Sequence, residues 1–330
     1  MSSRLIVHQI VKDRGSETTD LHLRASLLTS TTADAGALID RLRLAITRGN
    51  PHAGRFTSPA GAQPPLQQRL LRYMRKQTDN EFVSFSRNAA GHLRNEMAKS
   101  GWATGGYIVF AEHKHGEETF LLVVLLSTHA QPSFDADLNL VSATTLDFAH
   151  MRHAARLRYS GVEQNEDSVV HFVSRNEKGV SDYFQDFLGC EELTDSSQQG
   201  RFLQSALRYM ARDKGMNKET VMQQTYTYWK GCREAGKSMT VTALANLLAP
   251  DDPDPILEYL GDPKWGLAGE FSPPIPSIMK NFLKFAFDGK GLKIEFDRDD
   301  WLGNIRCTDT TVTIRNAPAS LIEQIQNEKR

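Results

Sequence analysis

The hydrophobic period of this chain changes near residues 176–179, and that change limits the folds open to it. Before it, short extended runs alternate apolar and polar residues between a few helical stretches. After it, over residues 180–249, the spacing is almost entirely helical, broken by Gly189, Gly215 and Gly236. A chain of 330 residues also exceeds one typical domain of about 100–200 residues. The expectation is therefore an α+β protein of two domains. Residues 1–178 form an N-terminal α+β domain, an antiparallel sheet with packed helices. Residues 179–330 form a C-terminal domain, with a helical bundle over 180–249 and a small α/β end over 277–330 that carries a small sheet.

Element by element, residues 5–12 and 21–28 read as strands around a polar turn. Thr32 or Asp34 caps a helix that runs to about Thr47. Residues 49–65, rich in Gly, Pro and Ala, read as a loop. Leu66, Leu70, Leu71 and Met74 make one helical stripe; Phe82, Phe85, Ala89, Leu93 and Met97 make another. Residues 107–113 and 119–126 are β runs around a turn, which predicts a hairpin. Residues 132–148 and 153–159 read as extended, and 169–173 as a short strand. Helices follow over 180–188, 196–213, 218–233 and 241–248. Residues 250–276 read as a proline-rich surface connection with room for one short helix, and 277–287 as a helix. Strands close the chain at 292–296, 304–308 and 311–315. Pro318 then opens a last helix over 319–327, where its missing N–H costs little.

Several function classes drop out. The apolar runs fall far short of the roughly 20 residues that span a bilayer, and the first residues do not read as a signal peptide. Cys190, Cys232 and Cys307 lie far apart without a CxxC pair, which excludes a disulfide scaffold and an all-cysteine zinc cluster. A reduced, cytoplasmic protein is the simplest reading. The pairs His113/His115 and His150/His153 lack the context of a metal motif. Neither Gly105-Gly106 nor Gly289-Lys290-Gly291 fits a phosphate loop, and there is no GxSxG. No cofactor is implied. Glu112-His113-Lys114 has the acid-x-Lys form of a class of Mg²⁺-dependent nucleases. That alternative needs a second acid, for which Asp79, Glu81 and Glu96 are the candidates.

Charge is unevenly spread. The chain has net charge −1, yet between Arg41 and Lys99 eleven Lys or Arg stand against three acids. Between Ser100 and His150 one Lys stands against six acids. Segregation of this kind makes a basic face on a neutral protein. Arg69, Arg72 and Lys76 fall on one helical face with Arg75 at its margin. Arg87 and Arg94 line the next helix, beside Ser84, Ser86, Asn88 and Asn95. Further on, Arg201, Arg208 and Arg212 share a face, and Lys214 and Lys218 stand at a helix junction. Such residues contact phosphate. Tyr226, Tyr228 and Trp229 beside Lys230 and Arg233 offer stacking, but the spacing of Trp229 with Val221, Met222 and Thr225 is that of a core residue.

The run FVSFSRNAAGHLRNEMAK (82–99), continued by GGYIVF (105–110), resembles the 37-kDa nucleoid-associated proteins of bacteria. That family shows a similar Phe-Ser-Arg…Gly-x-Leu-Arg-x-Glu helix followed by a Gly-Gly turn into a strand. VSDYFQDFLG (180–189), LKFAFDGKGLKIEFD (283–297) and LHLRASLL (21–28) also look similar, so the resemblance covers nearly the whole chain. It implies a cytoplasmic protein of the bacterial nucleoid that binds double-stranded DNA with little sequence preference and has no enzymatic activity. For some members it implies contact with type II topoisomerases, which leaves a protein-interaction module as the alternative reading. The family pattern does not keep an acid-x-Lys at Glu112–Lys114. Of the basic residues, Arg87 and Arg94 match the family motif; Arg69–Lys76 and Arg201–Arg212 rest on spacing alone. The low basic density of a single chain suggests a homodimer that presents two basic faces.

Overall fold

A computed structural model describes residues 4–28, 33–57, 64–174, 183–289, 292–297, 304–308, 310–317 and 319–328. The first elements are β1 (Arg4–Val11), β2 (Asp20–His22), α1 (Ala33–Arg48), β3 (His52–Phe56), α2 (Pro65–Met74), α3 (Asp79–Ala98), β4 (Gly106–His115) and β5 (Glu118–Leu126). Next come β6 (Thr128–Phe134), β7 (Leu140–Leu146), β8 (His153–Arg158), α4 (Tyr159–Gln164), β9 (Val170–Ser174), α5 (Tyr183–Leu188) and β10 (Cys190–Glu192).

Eight of these strands form one antiparallel sheet in the order β10-β3-β9-β8-β5-β4-β1-β2. The continuous apolar run of β5 is buried from Phe120 to Leu126, as a central strand covered on both faces must be. One face carries Ile6, Ile10, Ile108, Phe110, Leu121 and Val123 and packs against α2, α3, α4 and α5. The other carries Leu5, Val109, Ala111, Leu122 and Val124 and packs against Ile39, Leu42 and Ile46 of α1. Gly105 and Gly106 let β4 enter between its neighbours. A Cβ on Gly106 would lie 2.6 Å from the Leu126 carbonyl oxygen.

A second body follows, with α6 (Ser196–Asp213), α7 (Lys218–Glu234), β11 (Met239–Thr240), α8 (Val241–Leu248), α9 (Asp254–Leu260), β12 (Glu270–Phe271) and α10 (Pro276–Met279). Its core holds Leu203, Leu207, Met210, Met222, Trp229, Leu244, Leu257 and Leu260. Asp195, Asn217 and Thr240 cap α6, α7 and α8 through their side-chain oxygens, and Gly215 and Gly236 close the first two at positive φ. This body lies on the α1 side of the sheet. Arg43 meets Glu258 at 3.2 Å, Arg48 meets Asp254 at 2.7 Å, and the buried Arg156 donates to the Gly261 carbonyl. The chain ends in two separate ladders, β13 (Lys284–Gly289) with β14 (Leu292–Asp297) and β15 (Ile305–Cys307) with β16 (Val312–Ile314), and in α11 (Ala319–Glu328).

The architecture is α+β, as the sequence predicts. The expected division near residue 178 falls within 175–182, outside the described residues. On its far side, α5 packs into the core of the sheet and β10 pairs with β3.

Four expectations are corrected. The strand expected over 21–28 is only three residues of β2 and a single bridge from Leu28 to Leu5, because the Arg24 N–H turns aside to donate to His8 Nδ1. The loop expected over 49–65 contains β3, whose Gly and Ala content suits a tight site: a Cβ on Gly54 would meet the Phe172 ring at 3.0 Å. Residues 250–276 are not a surface connection. Ile256, Leu257, Leu260, Leu267 and Ala268 are buried, and Pro255 and Pro263 stand in the first turns of α9 and of a 3₁₀ turn at Pro263–Trp265. The helix expected over 277–287 stops early, since Lys284 already begins a strand paired with β14.

Candidate nucleic-acid interface

Helices α2 and α3 form a hairpin over one face of the sheet. Pro65 opens α2, and Thr78 caps α3 by accepting the Glu81 N–H. Leu66, Leu70 and Tyr73 turn inward from α2, and Phe82, Phe85, Ala89, Leu93 and Met97 from α3. That pattern leaves the outward side to the polar residues of both helices. His8 joins the hairpin to the sheet. Its Nδ1 accepts from Arg24, so its Nε2 is the protonated nitrogen, 3.0 Å from Ser86 Oγ on α3.

The arginines on that outward side differ from six others. Arg4, Arg43, Arg48, Arg55, Arg158 and Arg212 each pair with a carboxylate. Arg72, Arg75 and Arg87 are exposed and have no hydrogen bond or ion pair to a described residue, and Arg94 bonds only the Asn95 side chain. The three acids of α3 are already engaged: Asp79 with Arg4, Glu81 with Lys76, and Glu96 with Lys99. Positive charge on this side therefore stands uncompensated.

Arg69 deepens it. The side chain is half-buried and its Nη1 finds no partner. Burial, and then the charge of Arg72, lowers its pKa. Burial and the Arg69 charge likewise lower that of His92 on α3. An anion placed beside these two groups favours their charged forms.

The other expected contacts lie elsewhere. Lys76 is tied to Glu81 at 2.6 Å. Arg201 and Arg208 are exposed and unpaired among the described residues, but α6 belongs to the body on the opposite side of the sheet. Arg212 pairs with Asp213 and lies 4.9 Å over the Tyr209 ring. Lys218 is exposed at the start of α7. Trp229 is buried with its Nε1 donating to the Pro274 carbonyl, a core residue rather than a stacking platform.

Glu112 is buried, and its carboxylate is taken up by Arg4 and by the hydroxyls of Tyr73 and Tyr159. Burial first, then the carboxylate, pushes the pKa of both tyrosines up, so they stay protonated donors. Lys114 is exposed on the same strand. Asp79, one candidate second acid, is held by Arg4 at 2.8 Å. Arg4 is the residue that sequence reasoning missed: its partners stand 69 to 108 positions away, and no local pattern marks it. Among the described residues no group of three or more His, Cys, Asp or Glu could hold a metal ion. His150 pairs with Asp147, while His153 is buried against Tyr183 and Phe184.

The fold and this basic side belong to a chain that matches, over residues 6–322, the family described as nucleoid-associated protein YejK. The chain belongs to that family of nucleoid-associated proteins. It is 29% identical to a nucleoid-associated protein of Pseudomonas putida strain GB-1, covering 98% of each chain. A nucleoid-associated protein of Pseudomonas aeruginosa strain UCBPP-PA14 is 30% identical, covering 98% of this chain and 97% of its own. No described helix is long and apolar enough to cross a membrane.

Proposed function

We propose that this chain is a non-enzymatic component of the bacterial nucleoid that binds double-stranded DNA with little sequence preference, through the outward side of α2 and α3. The observation that carries the reading is the grouping of four arginines without a carboxylate partner on two adjacent helices. Six elsewhere are neutralised by carboxylates, whereas Arg72, Arg75, Arg87 and Arg94 have none among the described residues. Ser84, Asn88 and Asn95 stand exposed among them and supply neutral donors for phosphate oxygens. Contacts of this kind position a protein on the duplex without reading its bases. Membership of a nucleoid-associated family supports the reading.

The test is fluorescence anisotropy on a random-sequence duplex at several salt concentrations. The log–log slope counts phosphates, at about 0.9 per contact. The wild type binds with a steep slope, and Arg72→Ala/Arg75→Ala/Arg87→Ala/Arg94→Ala flattens it. Absence of binding at low salt overturns the reading and turns attention to a protein partner, with a type II topoisomerase first in line.

A further inference from the structure

The arm that leaves the main sheet between β5 and β8 has no part in DNA binding as proposed, for its strands carry no Lys or Arg and its tip carries Asp135 and Asp137. β6 and β7 pair from Thr128–Leu146 to Phe134–Leu140, and with no other described strand. A lone two-stranded ribbon is marginally stable in water. Phe134, Leu138 and Leu140 near the tip are 68%, 80% and 72% exposed. Neither strand contains an acidic residue either, although natural sheets place charges on free edges to block pairing.

The two edges differ. The Asp147 N–H donates to Ser127 O, and the Asp135 N–H to Asn139 O. These bonds fix the antiparallel alternation, so odd-numbered β6 residues face β7 and even-numbered ones face out. Pro132 is an outward position, which leaves the outer edge of β6 without a donor at its centre. β7 has no such block. Leu140, Ser142, Thr144 and Leu146 direct their main-chain groups outward along a strand free of Pro, Gly and charge.

We propose that β7 pairs antiparallel with β7 of a second copy of this chain, about a two-fold axis at Ala143, giving a four-stranded sheet across the dimer. Identical strands related by a two-fold axis must run antiparallel. With Ala143 on the axis the outward residues match themselves, Leu140 against Leu146 and Ser142 against Thr144. Charge fits the same arrangement. Antiparallel pairing carries each acidic tip toward the other copy's arm base, where Arg152 is exposed and Arg41 lies 4.2 Å over the Phe148 ring. The exposed apolar tip residues then meet the half-buried Leu146 and Phe148 of that base.

Sedimentation velocity at micromolar concentration and disulfide trapping test this together. The wild type sediments as a dimer. Thr144→Pro removes an outward donor without touching an N–H that faces β6, and Leu140→Asp charges the edge; each weakens dimerisation by about tenfold or more. Both keep the wild-type circular dichroism spectrum. In a chain whose three cysteines are replaced by alanine, Ala143→Cys forms a disulfide-linked dimer under mild oxidation. Gln131→Cys, on the other strand of the arm, does not. A monomeric wild type overturns the proposal, and so does a dimer that survives both edge variants and is not trapped at Ala143→Cys. Neither readout involves DNA, so this proposal and the DNA-binding one fail independently.

Discussion

Arg4 Nη1 lies 2.5 Å from Glu112 Oε1, across the pairing of β1 with β4. The same guanidinium holds Asp79 at 2.8 Å and the Gln77 carbonyl at 2.6 Å, so one side chain locks the α2–α3 turn to the sheet. Removing it leaves Glu112 buried with an uncompensated charge. Arg4→Ala is expected to lower stability by about 3 kcal/mol, in the range for breaking a buried pair from one side. Urea unfolding measures it. Glu112→Gln, which keeps the shape and the tyrosine bonds, is expected to cost less than half as much. Plasmid nicking that depends on Mg²⁺ and is lost in Glu112→Gln would contradict the structural role.

The interface proposal ranks the basic residues. Lys76 has spent its charge on Glu81, whereas Arg72 on the preceding turn has no partner among the described residues. Arg72→Ala is expected to reduce the salt slope of duplex binding by about 0.9 and Lys76→Ala by much less. Arg201→Ala/Arg208→Ala, on the far side of the sheet, is expected to leave the slope near its wild-type value. Anisotropy titrations on the three variants at matched salt decide the order.

Much of the fold is legible because period and composition agree along most of the chain. The β4–β5 hairpin and helices α3, α6 and α8 stand where the apolar spacing puts them. Two of the misreadings share one cause: packing outweighs local composition. β3 is poor in apolar bulk because Phe172 occupies the space above Gly54, and the prolines near α9 begin elements rather than end them. The site was half legible. Spacing shows which arginines share a helix face, but Lys76 and Arg72 look alike until Glu81 is seen beside one of them. The α6 arginines likewise read as part of the same basic chain until the sheet is seen between them and α2.

Three buried histidines set a pH dependence. Burial, and then the Arg87 charge, lowers His8 to about 4. Burial, and then the Arg156 charge, lowers His113 to about 4 and His171 to about 3. The folded state holds all three neutral, while the unfolded chain protonates them near the ordinary value of 6.5. Their contribution to stability is thus fully present above pH 6.5 and is lost as the pH falls toward 4. Each costs up to about 1.4 kcal/mol for every pH unit within that window. The melting temperature is expected to be flat from pH 8 to 7 and to fall steadily below 6.5, with a shallower fall in His113→Gln.

Two of the four glycines in the 82–106 stretch are treated oppositely by the structure. At Gly105 a Cβ would lie 2.3 Å from the Ile10 carbonyl oxygen and 2.6 Å from the Lys12 nitrogen, both main-chain atoms that cannot swing away. The Gly105 N–H donates to Lys12 O at 2.9 Å, so the close approach is part of the β1–β4 junction. Gly105→Ala is expected to destabilise by about 3 kcal/mol through overpacking and backbone shift. At Gly91 a Cβ meets nothing within 4 Å. A glycine inside a helix costs about 1 kcal/mol relative to alanine, so Gly91→Ala is expected to stabilise by about that amount. Nothing in the fold requires this glycine, yet it stands at i+4 from Arg87 and three residues before Arg94, on the side proposed to meet DNA. A small residue there lets a phosphate backbone approach both guanidinium groups. Gly91→Leu is therefore expected to keep wild-type stability or better while weakening duplex binding several-fold. Thermal melting and anisotropy on one preparation separate the two effects, and undiminished binding in Gly91→Leu would move the contact away from this stripe of α3.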